Sequence, residues 1–218
     1  MCCRYYMELS PELRPFVEEA RHSTLANRMT DAYCRPFAAS GEINPTDITV
    51  ALAPDKNGRR AAFPMFWGFT GKSSYLFNAR VETADQKPTF RDAWARNRCV
   101  IPASYYFEWQ HLTSPDGRKQ TGDKYMIQPK NSTLTLLAGL YRLEEKDGLL
   151  FPHFTILTRE PPDDLRSIHD RMPVILREDA VSEWLSPGTS LPHVRKLAEN
   201  SLTDMIFEKQ RAVQSILK

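Results

Sequence analysis

The chain has 218 residues, a length that suits one globular domain or at most two small ones. With 41% hydrophobic and 11% aromatic residues it can fill a sizeable core, which excludes a disordered tail. A net charge of +2 neither proves a nucleic-acid partner nor excludes a local basic groove, and no apolar run approaches the roughly 18 residues of a membrane span.

The chain opens Met1-Cys2-Cys3-Arg4. A cysteine after the initiator methionine is small enough for that methionine to be trimmed, which would leave Cys2 with a thiol and a free α-amine. That amine has a reference pKa of about 7.7–8.0 against about 10.4 for lysine, so roughly one in ten is neutral at pH 7. Amine and thiol on one residue suit aldehyde capture. The amine forms a Schiff base, and the thiol closes on the imine carbon to give a five-membered thiazolidine. Position alone favours the plainer reading of an incidental residue in a frayed end.

Ser10-Pro11 is a good helix start, and Leu13, Phe16, Val17 and Ala20 fall at helical spacing, which predicts a helix over 11–22. Cys34 to Pro45 reads as an irregular loop. Ile48 to Ala53 and Phe63 to Phe69 read as strands, with a turn over Pro54 to Arg60. A strand at Tyr75 to Phe77 leads into Asn78-Ala79-Arg80. A short helix around Thr89–Arg98 buries Phe90, Ala93 and Trp94. Cys99 to Ile101 and Tyr105 to Trp109 are expected as two strands broken at Pro102. Tyr125–Gln128, Thr133–Tyr141 and His153–Thr158 continue the β-rich middle, and helices follow near 178–186 and 191–199. The expected class is α+β: one domain over 1–218 with an antiparallel, barrel-like β core, peripheral helices and a helical C-terminal part over about 178–218.

The N-terminus lacks the basic-then-apolar pattern of a signal peptide, so a soluble, cytoplasmic protein is expected. Cys2, Cys3, Cys34 and Cys99 should be free thiols there, with Cys34 and Cys99 as small buried hydrophobes. No Cys-x-x-Cys or His-x₃₋₅-His spacing accompanies them, so a zinc site is not expected; nothing in the sequence suggests a cofactor.

Three polar islands stand out. Asn78 and Arg80, two apart on an extended segment, share a face. Glu108 lies between Phe107 and Trp109 and shares a face with Tyr106; a carboxylate among aromatics should titrate high, which suits an acid/base. In His169-Asp170-Arg171 the histidine is the residue type that can exchange a proton near neutral pH, and the arginine can hold a phosphate or carboxylate. Each has a plainer reading: Asn78 as a buried turn residue, Glu108 as the ion-pair partner of Arg80 or Arg171, His169 as a satisfied structural histidine. Glu82 reads as structural.

Taken together, Met1-Cys2-x-Arg4, Trp67-Gly68, Asn78-Ala79-Arg80-x-Glu82-Thr83, Arg98-Cys99-Val100-Ile101-Pro102-Ala103, Phe107-Glu108-Trp109 and His169-Asp170-Arg171-Met172-Pro173 closely resemble the SRAP (SOS response-associated peptidase) family from residue 2 to about residue 185. The resemblance implies an SRAP-like fold and a protein that binds single-stranded DNA and joins covalently to abasic sites through a thiazolidine, shielding the lesion from strand cleavage. It implies that Cys2 is the nucleophile, that Asn78 orients it and the opened sugar, that Glu108 moves protons at the α-amine, and that His169 assists ring opening. Arg4, Arg80 and Arg171 would hold phosphates, Trp67 and Trp109 would line the DNA path, and Pro45 matches a loop that parts the duplex side of the lesion. A monomer without metal is expected, nucleoid-associated when bound to DNA. In two places the chain departs from the family. Cys3 stands where most members have glycine, and Pro161-Pro162 replaces the more usual Ala-Asn on the way to His169. Two other functions compete: an N-terminal-cysteine peptidase or amidohydrolase, and a nucleic-acid-binding module whose cysteine senses redox state.

Overall fold

The computed structural model describes residues 3–210; Met1, Cys2 and 211–218 lie outside the described residues. The chain begins with β1 (Arg4–Met7), α1 (Arg14–Arg21), α2 (Thr24–Tyr33), β2 (Gly41–Ile43), β3 (Ile48–Pro54), β4 (Arg60–Trp67) and β5 (Phe69–Thr70). It continues through β6 (Tyr75–Leu76), β7 (Asn78–Arg80), α3 (Arg91–Arg96), β8 (Arg98–Ala103), β9 (Tyr105–Thr113), β10 (Lys119–Pro129), β11 (Thr135–Lys146) and β12 (Leu149–Arg159). The last elements are α4 (Asp163–Arg166), β13 (Met172–Pro173), α5 (Val181–Leu185), α6 (Leu191–Glu199) and β14 (Met205–Lys209).

The α+β, barrel-like expectation holds. β11, β8, β3, β4 and β12 pair in that order, and β12 returns to β11, so the ring closes and leaves no exposed edge among these strands. The β4–β12 pairing is parallel, as is that of β7 with β12. The barrel is packed tightly enough to dictate a glycine: a Cβ on Gly139 would stand 2.5 Å from Ile101 Cδ1 and 2.9 Å from Cys99 Sγ. An open sheet, ordered β14-β10-β9-β1-β2, lies beside the barrel. Tyr5 of β1 packs on Trp67 with ring centroids 5.3 Å apart, and Trp67 stacks on Phe154 of β12. Among the described residues, no helix is long and apolar enough to cross a membrane.

Several local expectations are corrected. The first helix starts at Arg14, with Leu13 at its cap, because the Ser10 carbonyl closes a turn with the Leu13 and Arg14 amides. Residues 24–33 form α2, capped by Ser23, whose hydroxyl accepts from the Ala26 amide. Cys34 is exposed, not buried, and ends α2 in a left-handed conformation with φ of 50°. Pro102 does not break its strand. It lies inside β8 opposite Leu136 of β11, while β3 pairs with β8 at Val100 alone. The C-terminal part is not helical throughout, since the chain after α6 returns as β14 to the edge of β10.

Two buried polar groups tie the periphery to the barrel. Arg98, 1% exposed, donates to the carbonyls of Trp94, Ala95, Trp184 and Ser186 and so fastens α3 and α5 to β8. His153 of β12, 2% exposed, approaches the Gly68 carbonyl through Nδ1 (2.7 Å) and the Tyr33 hydroxyl through Nε2 (2.6 Å). Nδ1 donates to the carbonyl, so Nε2 accepts from the phenol. Burial, followed by the charge of Glu144, pushes the Tyr33 phenol up to about 12. Burial lowers the His153 value against the raising influence of Glu144 and Gly68. A histidine whose folded value is depressed contributes stability that is fully present above the unfolded value of about 6.5 and is lost as pH falls through the folded one. The melting temperature is therefore expected to drop between pH 7 and pH 5, and His153→Gln to make that drop shallower; an identical slope in the variant would remove His153 as its source.

Candidate active site

β9 alternates its side chains between two faces, placing Tyr106 and Glu108 on one and Phe107 and Trp109 on the other. Glu108 is 3% exposed. Its Oε1 lies 3.0 Å from Nε2 of His169, which is 5% exposed. Glu108 therefore pairs with the histidine, not with Arg80 or Arg171. His169 reaches this position because its loop is sewn to β9, the His111 amide donating to the Ile168 carbonyl at 2.8 Å. Pro162 caps the short helix α4, and the His169 amide then donates to Leu165, so the double proline leads the chain into the site.

The Arg171 amide donates to His169 Nδ1 at 3.0 Å, which leaves the proton on Nε2, facing the Glu108 carboxylate. Asp170 Oδ1 stands 2.8 Å from the same Nδ1. A second proton on the ring would exchange the amide contact for an ion pair with Asp170. Both charge states of the imidazole thus find a partner at each nitrogen, as a group that takes up and gives back a proton requires.

Cys3, Arg4, Glu108, Trp109, His111, Thr121 and His169 line one open cleft of about 350 Å³. The proposed nucleophile, Cys2, lies outside the described residues, but its neighbours Cys3 and Arg4 place the start of β1 at this cleft. Burial, then the charge of Glu108, raises the Cys3 thiol above its usual value. Cys3 is therefore mostly protonated at neutral pH and a poor competitor as a nucleophile. Asn78 stands half-buried at the head of β7, opposite Ile156 of β12, and Arg80 is exposed at the end of the same strand. The Pro45 turn is closed by the Asn44 amide on Asp47 and carries Thr46 at φ of 74°.

Two expected DNA contacts are corrected. Trp67 is fully buried, with its indole N–H donated to the Phe77 carbonyl at 3.0 Å, and offers no face to a ligand. Arg171, 8% exposed, spends its guanidinium on both oxygens of Glu82 (2.8 Å each) and on the Thr158 carbonyl. Thr158 O also accepts from Val81, so Arg171 fastens the His169 loop to the segment after Asn78-Ala79-Arg80. Glu82 is engaged in this bidentate pair.

Three groups at the site escaped the sequence reading. The His111 ring lies against that of His169 with centroids 3.8 Å apart, and burial followed by the charge of His169 holds its value below the usual one. Donor atoms of His111, His169 and Asp170 lie within 4.8 Å of one another, a set that could hold a metal only by displacing the contacts of His169. Lys124 and Glu42 stand on the other face, beside Trp109. A lone histidine, lysine or glutamate carries no spacing signal, although Gly122 inside a strand marks the bulge in β10 that separates Thr121 from Lys124.

A family model described as SOS response associated peptidase (SRAP) matches residues 1–214. The chain is 40% identical over 164 residues to "Abasic site processing protein YoaM" of Bacillus subtilis, covering 72% of this chain and 70% of that protein. It is 30% identical over 155 residues to "Abasic site processing protein YedK" of Escherichia coli, covering 68% and 66%. A crystal structure of a Bacteroides thetaiotaomicron protein superposes with a TM-score of 0.72 at 20% identity, covering 97% of this chain and 93% of that one.

Proposed function

The chain belongs to the SOS response associated peptidase family, and from that premise we propose that it processes abasic sites in single-stranded DNA by covalent capture through Cys2. The observation that carries this reading is the 3.0 Å contact of two buried acid/base groups, Glu108 and His169, in an open cleft that also holds Cys3, Arg4 and Trp109. The names of the curated relatives point to the same lesion.

An abasic deoxyribose is mostly a closed hemiacetal, and opening it needs a proton donor and a proton acceptor. His169 supplies the donor and the carboxylate of Glu108 the acceptor. Once Met1 is removed, the α-amine of Cys2 adds to the exposed aldehyde and loses water as a Schiff base. The thiol then adds across the imine, its proton passing to nitrogen, and the product is protein plus DNA minus one water. Asn78 orients the reactants. Arg4 and Arg80 hold flanking phosphates, and Trp109 offers an aromatic face to a base.

Intact mass spectrometry tests this directly, before and after incubation with a single-stranded oligonucleotide carrying one abasic site. The expected result is a chain lacking Met1 that shifts to a stable adduct of protein plus oligonucleotide minus one water. A trimmed chain that never forms the adduct would overturn the reading and leave peptide-bond hydrolysis as the competing chemistry.

A further inference from the structure

On the face of the open sheet opposite Glu108, strand register brings together charges that the sequence keeps far apart. Glu42 is opposite Tyr6, Tyr6 opposite Tyr105, Arg4 opposite Phe107, and Lys124 opposite Trp109, and directly opposed residues share a face. Tyr6 stacks on Tyr105 at 5.0 Å, while Arg4 and Lys124 stand over the Trp109 ring at 5.2 and 5.1 Å. Lys124 also lies 3.6 Å from the Phe107 centroid. Aromatic faces flanked by cations are what a single strand requires. Yet these two cations already share one anion. Glu42 Oε1 lies 2.5 Å from Arg4 Nη1, and its Oε2 lies 2.9 Å from Lys124 Nζ.

Deepening the proposed function and resting on it, we propose that Arg4 and Lys124 form a seat for a DNA phosphodiester beside Trp109, and that Glu42 occupies this seat until the strand displaces it. A carboxylate, like a phosphodiester, offers two oxygens sharing one negative charge, so each oxygen meets one cation in either state. The exchange is open to a ligand because the side chains of Arg4, Glu42 and Lys124 are 43%, 31% and 23% exposed. Burial works to raise the Glu42 carboxyl, but the hydrogen bonds from Lys124 and then Arg4 outweigh it and hold the group below its usual value, so it is an anion at neutral pH. Glu42 thereby sets the threshold of affinity that a strand must exceed to enter the site.

The test is fluorescence anisotropy of an undamaged single-stranded oligonucleotide across a salt series, with abasic-site cross-linking followed in parallel. Glu42→Gln, which keeps the shape and removes the charge, is expected to tighten binding by about two- to five-fold, the range of an exposed ion pair. Adding Lys124→Met should cancel that gain and make the log–log salt slope shallower by about 0.7, one phosphate contact on a single strand. Equal or weaker binding by Glu42→Gln, with an unchanged melting temperature and intact cross-linking by the unsubstituted chain, would overturn the inference alone. Failure of the unsubstituted chain to cross-link would overturn the proposed function and this inference with it.

Discussion

Replacing Cys2 with alanine is expected to abolish the stable adduct with abasic single-stranded DNA and to let strand cleavage take its place. The variant keeps a free α-amine after Met1 is trimmed, so the Schiff base still forms. What it lacks is the thiol that would close on the imine carbon. An imine left open either hydrolyses or, through loss of the proton next to it, eliminates the 3′ phosphate and cuts the strand. Gel analysis with and without borohydride reduction separates these fates: the alanine variant should trap only with borohydride, while the unsubstituted chain holds the DNA without it. An alanine variant that neither cuts nor traps would count against amine chemistry at the terminus.

Glu108→Gln is expected to slow cross-linking under single-turnover conditions by about 10²- to 10⁴-fold, the range of a positioned acid/base group. The amide can still accept from His169 Nε2 across the observed 3.0 Å, so the pair keeps its shape and loses only its capacity to take up a proton. His169→Gln should fall in the same range. The double variant should lose little more than either single one, because the two groups act on the same proton path. Affinity for undamaged single-stranded DNA should be nearly unchanged, since both side chains are almost wholly buried and offer little surface to a strand that carries no lesion. A normal rate in either variant would remove the pair from the chemistry.

How far the sequence reveals this protein depends on the distance over which each feature is determined. The strands around Val50 and Ile156 are apolar runs that declare themselves locally, and Ser10-Pro11 places a helix start to within a turn. Glu108 and His169 stand out because each is a polar residue in an apolar setting within an ordered set of motifs. α2 is harder to see: its sequence TLANRMTDAY buries only Ala26 and Met29, and Ser23 is its one clear signal. Trp67 and Arg171 show the opposite failure. Both sit in motifs that point to the site, but a tryptophan's indole N–H and an arginine's guanidinium are equally suited to satisfying buried carbonyls and carboxylates, and only the packing decides. Glu42, Lys124 and His111 depend on strand register and loop docking, which no local spacing records.

β1 lies one strand in from the edge of the open sheet, held by β2 along one side and by β9 along the other. If the DNA is attached at residue 2, a pull on the strand by a helicase or an unfolding machine is delivered along the axis of β1. Ladder bonds run perpendicular to that axis, so the load shears both edges together and does not unzip them one bond at a time. Removal of the captured protein is then governed by the rate of forced unfolding. The placement of one short strand would make such an adduct a mechanical anchor.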